Sequence, residues 1–177
     1  MVCSPGSGEG PANGDRVDSM TVESTTLRTV MGRFTTGVAV VSSTRDGEPV
    51  ALTANALASV SLDPPLVLFC PDKESKTLRG ILDSGVFAVN VLHDGQEDLA
   101  RRFAASGPKN FDGVPWRPGH TGAPILKDCL AWLDCSIWAQ YEGGDHLILV
   151  GLVKAAEINA DRPPLVFYRS GYHTIAP

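Results

Sequence analysis

Apolar positions recur along this chain with two periods, and the change from one to the other predicts most of its elements. Leu27, Val30, Met31 and Phe34 stand at i, i+3, i+4 and i+7, which predicts a helix over residues 25–34 with one apolar face. Gly37 ends that pattern, and the run Val38-Ala39-Val40-Val41-Ser42-Ser43 reads as a buried strand. Asp46-Gly47 signals a tight hairpin, so a strand starting near Pro49 should return antiparallel. Residues 53–66 read as a small-polar strand running into a Pro64-Pro65 turn, and 66–70 as the next, apolar strand. A helix is predicted over 75–84, with Leu78, Ile81 and Leu82 on one side and Gly85 as its stop. Residues 86–92 form a fourth strand, and 96–105 a second short helix anchored by Leu99 and Phe103. The polar, glycine-rich stretch from 106 to about 122 reads as a loop carrying Lys109, Phe111 and Trp116.

From Leu126 the period is that of strands. Cys129, Ala131, Leu133, Cys135, Ile137 and Ala139 occupy one face of a long strand. Its other face carries Leu130, Trp132, Asp134, Ser136 and Trp138, a mixture that suits partial burial against a partner. Residues 142–145 (EGGD) turn the chain, 146–158 return as a second long strand, and Pro163-Pro164 introduces a last short one over 165–169. Six or more antiparallel strands with a few short helices predict a mainly β fold, an antiparallel barrel with helical decoration.

Composition narrows the function classes. A chain of 177 residues suits one domain with a real core. Residues 1–24 are rich in Gly, Ser, Pro and Asp and offer nothing to bury, so they read as a disordered extension ahead of a folded domain over 25–177. The net charge of −5 argues against a nucleic-acid or anionic-membrane surface. No apolar run approaches the roughly 20 residues that span a bilayer, and the N-terminus lacks a secretory pattern, so a cytoplasmic location is expected. Cys3, Cys70, Cys129 and Cys135 show no Cys-x-x-Cys and no histidine at ligand spacing; reduced thiols and no metal site are expected.

Four clusters could carry chemistry. Ser75-Lys76-Thr77 opens a predicted helix, where free N–H groups, two hydroxyls and an ammonium suit a phosphate; taken alone, a plain N-cap with a solvated lysine is the favoured explanation. Thr53-Ala54-Asn55-Ala56 is too small to fill a core and lets a flat polar ring approach the backbone, or else marks a tight wall or bulge. Gly144-Asp145-His146 sets a histidine beside a glycine turn at a barrel mouth. Residues 167–173 (FYRSGYH) combine aromatic faces with a cation, as would a strand that simply closes the core. There is no Gly-x-Gly-x-x-Gly, P-loop or nucleophile elbow, so any nucleotide binds outside a Rossmann fold.

Taken in register, residues 32–38 (GRFTTGV), 58–66 (ASVSLDPPL), 87–92 (FAVNVL), 109–111 (KNF) and 144–146 (GDH) resemble the short-chain flavin reductase family. Its members have an FMN-binding split barrel and serve as reductase components of two-component flavin-dependent monooxygenases; the likeness covers about residues 25 to 175. The resemblance implies that Pro49, Val50, Ala51, Leu52 and Thr53 run beside the isoalloxazine, with Asn55 and Ala56 at its polar edge. It implies that Cys70, Pro71 and Asp72 flank the ribityl chain and that Ser75, Lys76 and Thr77 hold the phosphate. Arg102 and Phe103 would close over the phosphate or adenine side, His146 would be the catalytic-site histidine near nicotinamide, and Phe167, Tyr168, Arg169 and Ser170 would line the pyridine-nucleotide groove. Ala56 departs from the serine frequent at that position, which removes one hydroxyl contact.

The expected activity is NAD(P)H:flavin oxidoreduction. Hydride passes from nicotinamide C4 to the N5 of FAD or FMN, with NADH favoured, NADPH left open, and reduced flavin diffusing to a partner monooxygenase. The family also implies a homodimer, to which Trp132 and Trp138 could contribute an edge; as monomer-core residues they would need no partner. Two other readings stay open, a tight flavin-binding electron carrier and a split barrel holding another cofactor such as pyridoxal phosphate or haem.

Overall fold

The computed structural model of the chain describes residues 21–105 and 111–175. Cys3, most of the expected extension and Lys109 lie outside the described residues. Helix α1 (Ser24–Met31) leads through β1 (Thr36–Gly37) into the hairpin β2 (Ala39–Arg45) and β3 (Glu48–Ala54). The turn holds Asp46 and Gly47 at φ 53° and 82°, as the tight hairpin geometry requires. A second hairpin, β4 (Leu57–Leu62) and β5 (Pro65–Phe69), precedes helix α2 (Lys76–Ser84), which stops at Gly85 with φ 71°. Strand β6 (Val86–Val91), a 3₁₀ turn (Asp94–Gln96) and helix α3 (Glu97–Ala104) follow. The remainder is β: a short hairpin β7 (Trp116–Pro118) and β8 (Pro124–Leu126), the long pair β9 (Ala131–Gly143) and β10 (His146–Ile158), then β11 (Leu165–Tyr168) and β12 (Gly171–Thr174).

Seven strands form one antiparallel sheet in the order β3-β2-β6-β9-β10-β5-β4. Its edges, β3 and β4, are consecutive in the chain and joined only by Asn55 and Ala56. Three Cα–Cα steps bridge at most about 11 Å, so the sheet must curl until its two edges meet at one corner. They do not pair, and the barrel stays split there. The run Val38 to Val41 is continuously buried because the sheet is covered on both faces. Val41, Phe69, Ile81, Phe87 and Leu149 fill one side, while Val40, Phe103, Leu126 and Trp132 belong to the other cluster. Where β10 crosses the Phe87 ring only glycine fits, since a Cβ on Gly151 would lie 2.4 Å from Phe87 Cζ.

Four expectations are corrected. The small-polar stretch is not one strand, because the chain breaks at Asn55–Ala56 so that β4 can return along β5. The helix ends at Met31, short of Phe34, and its apolar stripe is not core: Leu27, Val30, Met31 and Phe34 are each more than half exposed. On the second face of β9, Trp132 and Asp134 are buried within the chain itself. The β7–β8 region covers them, with the Arg117 guanidinium 5.1 Å over the Trp132 ring, while Asp134 accepts hydrogen bonds from the Thr121 amide and hydroxyl. Trp138 alone of that pair of tryptophans is exposed. Finally, β1, β7, β8 and β12 were not foreseen, being too short to establish an alternating pattern.

Candidate functional site

A cavity of about 690 Å³ opens along the split. That volume lies within the range of cofactor sites. One wall is the edge strand β3 from Val50 onward with the corner Asn55–Ala56. Because β3 pairs only with β2 in this sheet, alternate peptide groups on its outer side are left for another partner. Residue size matters here: Ala51, Ala54 and Ala56 hold nothing between that backbone and an incoming ring. Asn55 is exposed at the corner, and its amide makes no side-chain hydrogen bond among the described residues.

The opposite wall runs from Cys70 through Pro71 and Asp72 to the start of α2. Ser75 is the N-cap residue of α2 but its hydroxyl makes no capping bond, which leaves the first-turn N–H groups and the Lys76 ammonium facing the cleft end. Thr77 also lines the cleft, yet it is buried and its hydroxyl donates to the Ala51 carbonyl at 2.8 Å. Its proton is therefore spent fastening α2 to β3. Asp72 is similarly occupied, its carboxylate accepting from the Glu74 amide at 2.7 Å to shape the turn before the helix. Helix α3 caps the cleft: Thr53 donates to the Ala100 carbonyl at 2.7 Å, and Phe103, Ala104 and Ala105 line the cavity. Phe103 is fully buried and packs against Phe111 with ring centroids 5.1 Å apart and planes tilted by 51°, and Phe111 in turn meets Trp116 at 6.3 Å.

His146 enters the mouth from the start of β10. Its Nδ1 is 2.8 Å from Asp145 Oδ1. That hydrogen bond, and then the imidazole charge, hold the Asp145 carboxyl below its ordinary value. The paired Nδ1 leaves Nε2 as the ring's remaining polar atom. Burial pushes the Cys70 thiol up, so this cleft cysteine is no activated nucleophile.

Six residues singled out in the sequence do not line this cleft. Pro49 stands one residue before it, and Arg102 points to a separate depression of about 290 Å³, donating to the Asp112 carbonyl at 2.9 Å. Phe167, Tyr168, Arg169 and Ser170 belong to the three-stranded sheet β1-β11-β12, where Phe167 packs on Tyr172. Arg169 and Ser170 form its hairpin turn at φ 51° and 63°, pinned by Arg169 N–H donating to the Gly32 carbonyl at 2.8 Å. Conversely, Arg45, at the end of β2, lines the cleft beside Val50 and was missed. Its neighbour Asp46 is a weak partner, 3.7 Å away and almost wholly exposed. The signal that could have found Arg45 is its place opposite Glu48 across the Asp46-Gly47 turn, two residues beyond the strand run that was read. Glu74, Ala104 and Ala105 were also missed.

A flavin fits this donor set: a peptide edge for a flat ring, an apolar cap, and a helix start with two cations for a phosphate. Comparison with known proteins agrees. Residues 31–176 match the flavin reductase like domain, and the chain belongs to that family. It is 42% identical over 161 residues to the reductase subunit of a flavin-dependent monooxygenase from Mycobacterium tuberculosis, covering 90% of this chain and 86% of that one. It is 41% identical over 155 residues to an NADH flavin reductase of Kitasatospora aureofaciens, covering 85% and 81%. Among solved structures, the NADH:FAD oxidoreductase of Streptomyces globisporus in complex with NAD and FAD fragments superimposes with a TM-score of 0.82 at 42% identity, covering 86% of this chain and 93% of that one.

Proposed function

We propose that this flavin reductase takes both substrates in the cleft at the split, NADH as the reductant and FAD or FMN as the acceptor. The supporting observation is the cleft itself, which has a helix start with Ser75, Lys76 and Arg45 at one end and His146 at its mouth. When bound, the two nucleotides supply the chemistry, a hydride passing from nicotinamide C4 to flavin N5. The chain supplies position. Peptide groups of β3 and the Asn55 amide orient the ring edge, Phe103 keeps water from its apolar side, and the α2 start with Lys76 and Arg45 neutralises phosphate. His146, steadied by Asp145, presents Nε2 to the nicotinamide amide and moves no proton.

The reduced flavin serves a partner monooxygenase, the role carried in the names of relatives from Mycobacterium tuberculosis and Rhodococcus jostii. We place the reaction in the cytoplasm, with residues 25–177 as the working unit and 1–24 an extension that turnover does not need. No helix among the described residues is long and apolar enough to cross a membrane. The exposed stripe of α1 and the edge strand β4, with Val60 and Leu62 uncovered, favour a homodimer. Light scattering that finds only monomer at micromolar concentration rejects it.

Steady-state oxidation of NADH and NADPH with FAD, FMN or no flavin tests the function. Turnover that saturates in added flavin is the expected result; a protein that oxidises neither nucleotide with either flavin refutes it. A chain that purifies with flavin bound and oxidises NADH only slowly is the electron carrier instead.

A further inference from the structure

We propose that Lys73 is a positioning residue that locks His146 over the cleft by clamping the tip of the β9–β10 hairpin to the opposite wall. The inference rests on the reading of His146 as the nicotinamide contact. Lys73 follows the wall residues Cys70, Pro71 and Asp72, and its Nζ donates to Glu142 Oε2 at 2.5 Å and to the Gly144 carbonyl at 2.6 Å. Its own amide donates to the Asp145 carbonyl at 3.1 Å. Next to it, the Leu147 amide donates to the Pro71 carbonyl at 3.0 Å, and Asp72 bridges to His146 as an isolated antiparallel pair. The segment bearing Asp145 and His146 is thus stitched to the wall by backbone on both sides of His146, and the Lys73 ammonium extends that attachment to the hairpin tip at Glu142 and Gly144.

The hairpin needs such a tie. Residues 140–145 are all exposed, and Gly144 turns at φ 76°. Among the described residues, Lys73 is the only side chain from elsewhere in the chain that holds the tip. Its ammonium satisfies one carboxylate and one carbonyl at once, on the two residues either side of Gly143. The pair is solvent-accessible, with side chains 36% and 65% exposed. It therefore contributes little to folding, and its effect is spatial: it sets how far Asp145 and His146 stand from the ring-binding wall. A rigid second support of this kind is what keeps a contacting side chain in productive geometry.

The test is steady-state kinetics of the full chain with NADH varied at saturating FAD. Lys73→Met should raise the KM for NADH about fivefold while kcat and the KM for FAD stay within about twofold. Lys73→Arg should restore it. Glu142→Ala should move the NADH KM in the same direction by less, because Gly144 still holds the ammonium, and the double variant should be no worse than Lys73→Met. A fall in NADH KM in Glu142→Ala would mean that the freed lysine binds the dinucleotide directly, which overturns the clamp. An unchanged NADH KM in Lys73→Met, or an equal rise in the FAD KM, overturns it too. His146→Ala separates the two levels. If it raises the NADH KM and Lys73→Met does not, the clamp fails alone. If His146→Ala leaves NADH kinetics unchanged, the reading of His146 fails and takes the clamp with it.

Discussion

Gly80 joins stability to the flavin site in one methyl group. It sits buried in the middle of α2, where the helix crosses the β2–β3 hairpin. A Cβ there would lie 2.9 Å from Val50 Cγ2, 3.1 Å from Arg45 Cβ and 3.2 Å from the Thr44 carbonyl oxygen. Gly80→Ala sets two effects against each other. Alanine in a helix interior is favoured over glycine by about 1 kcal/mol. An extra methyl in a filled site costs about 1–3 kcal/mol. The cost should win, since Val50 is β-branched and stiff at χ1 and the Thr44 carbonyl is backbone, so relief requires α2 to lift off the hairpin. The net is a loss of about 1 kcal/mol, or a fall in Tm of about 2–4 °C for a chain of this size. Lifting α2 also parts Ser75 and Lys76 from Val50 and Arg45, which line the same end of the cleft. The KM for FMN should rise about fivefold, equivalent to about 1 kcal/mol of binding. Urea unfolding followed by tryptophan fluorescence measures the first effect and flavin-varied turnover the second. Val50→Ala removes the closest atom, so in the double variant both losses should largely recover. A Gly80→Ala protein stabilised by about 1 kcal/mol with unchanged flavin KM would refute the reasoning, because propensity alone would then have decided the outcome.

Three further outcomes are expected. Arg45→Ala or Lys76→Ala should raise the KM for FMN about tenfold, the worth of one charge-assisted contact, yet leave riboflavin kinetics alone; equal losses for riboflavin would show that neither cation meets phosphate. Burial holds the Cys129 thiol at about 11 and the Cys135 thiol at about 12. In a Cys3→Ser background a disulfide reagent at pH 8 should therefore label Cys70 alone, more slowly with flavin present, and labelling of a second thiol in the native protein would contradict this burial. Asp145 has a folded pKa below its unfolded one, so the Asp145–His146 pair contributes above the ordinary carboxylate range and is lost as pH falls through the depressed value. NMR titration of its carboxyl should move up in His146→Ala; an unmoved titration would remove the pair as the cause.

Local order was legible wherever neighbours in sequence supply the information. The Asp46-Gly47 hairpin, the α2 stop at Gly85 and the buried run from Val38 follow from turn chemistry and periodicity, and the structure keeps each of them. Chemistry at a helix start was also readable, since Ser75 and Lys76 face the cleft for reasons local to α2. Thr77 shows the limit: its residue type suits a phosphate, but only the packing of α2 on β3 reveals that its proton is taken by Ala51. Arg45 shows the complementary limit: its place opposite Glu48 beside the turn was readable, but only the fold brings Val50 and Lys76 around it to make a site. Periodicity identifies an apolar face without saying what covers it. The stripe of α1 and the mixed face of β9 looked alike in that respect, yet the first ended up exposed and the second buried at Trp132 and Asp134 but open at Trp138. Sequence by itself therefore determined most of the longer elements, their antiparallel sense and the kind of ligand chemistry available. Tertiary structure alone decided that β3 and β4 meet without pairing, that His146 joins the start of α2 in lining the resulting cleft, and that a lysine sixty-nine residues from its carboxylate partner ties the segment after β5 to the β9–β10 hairpin. Those facts depend on contacts between distant segments, which no local pattern encodes.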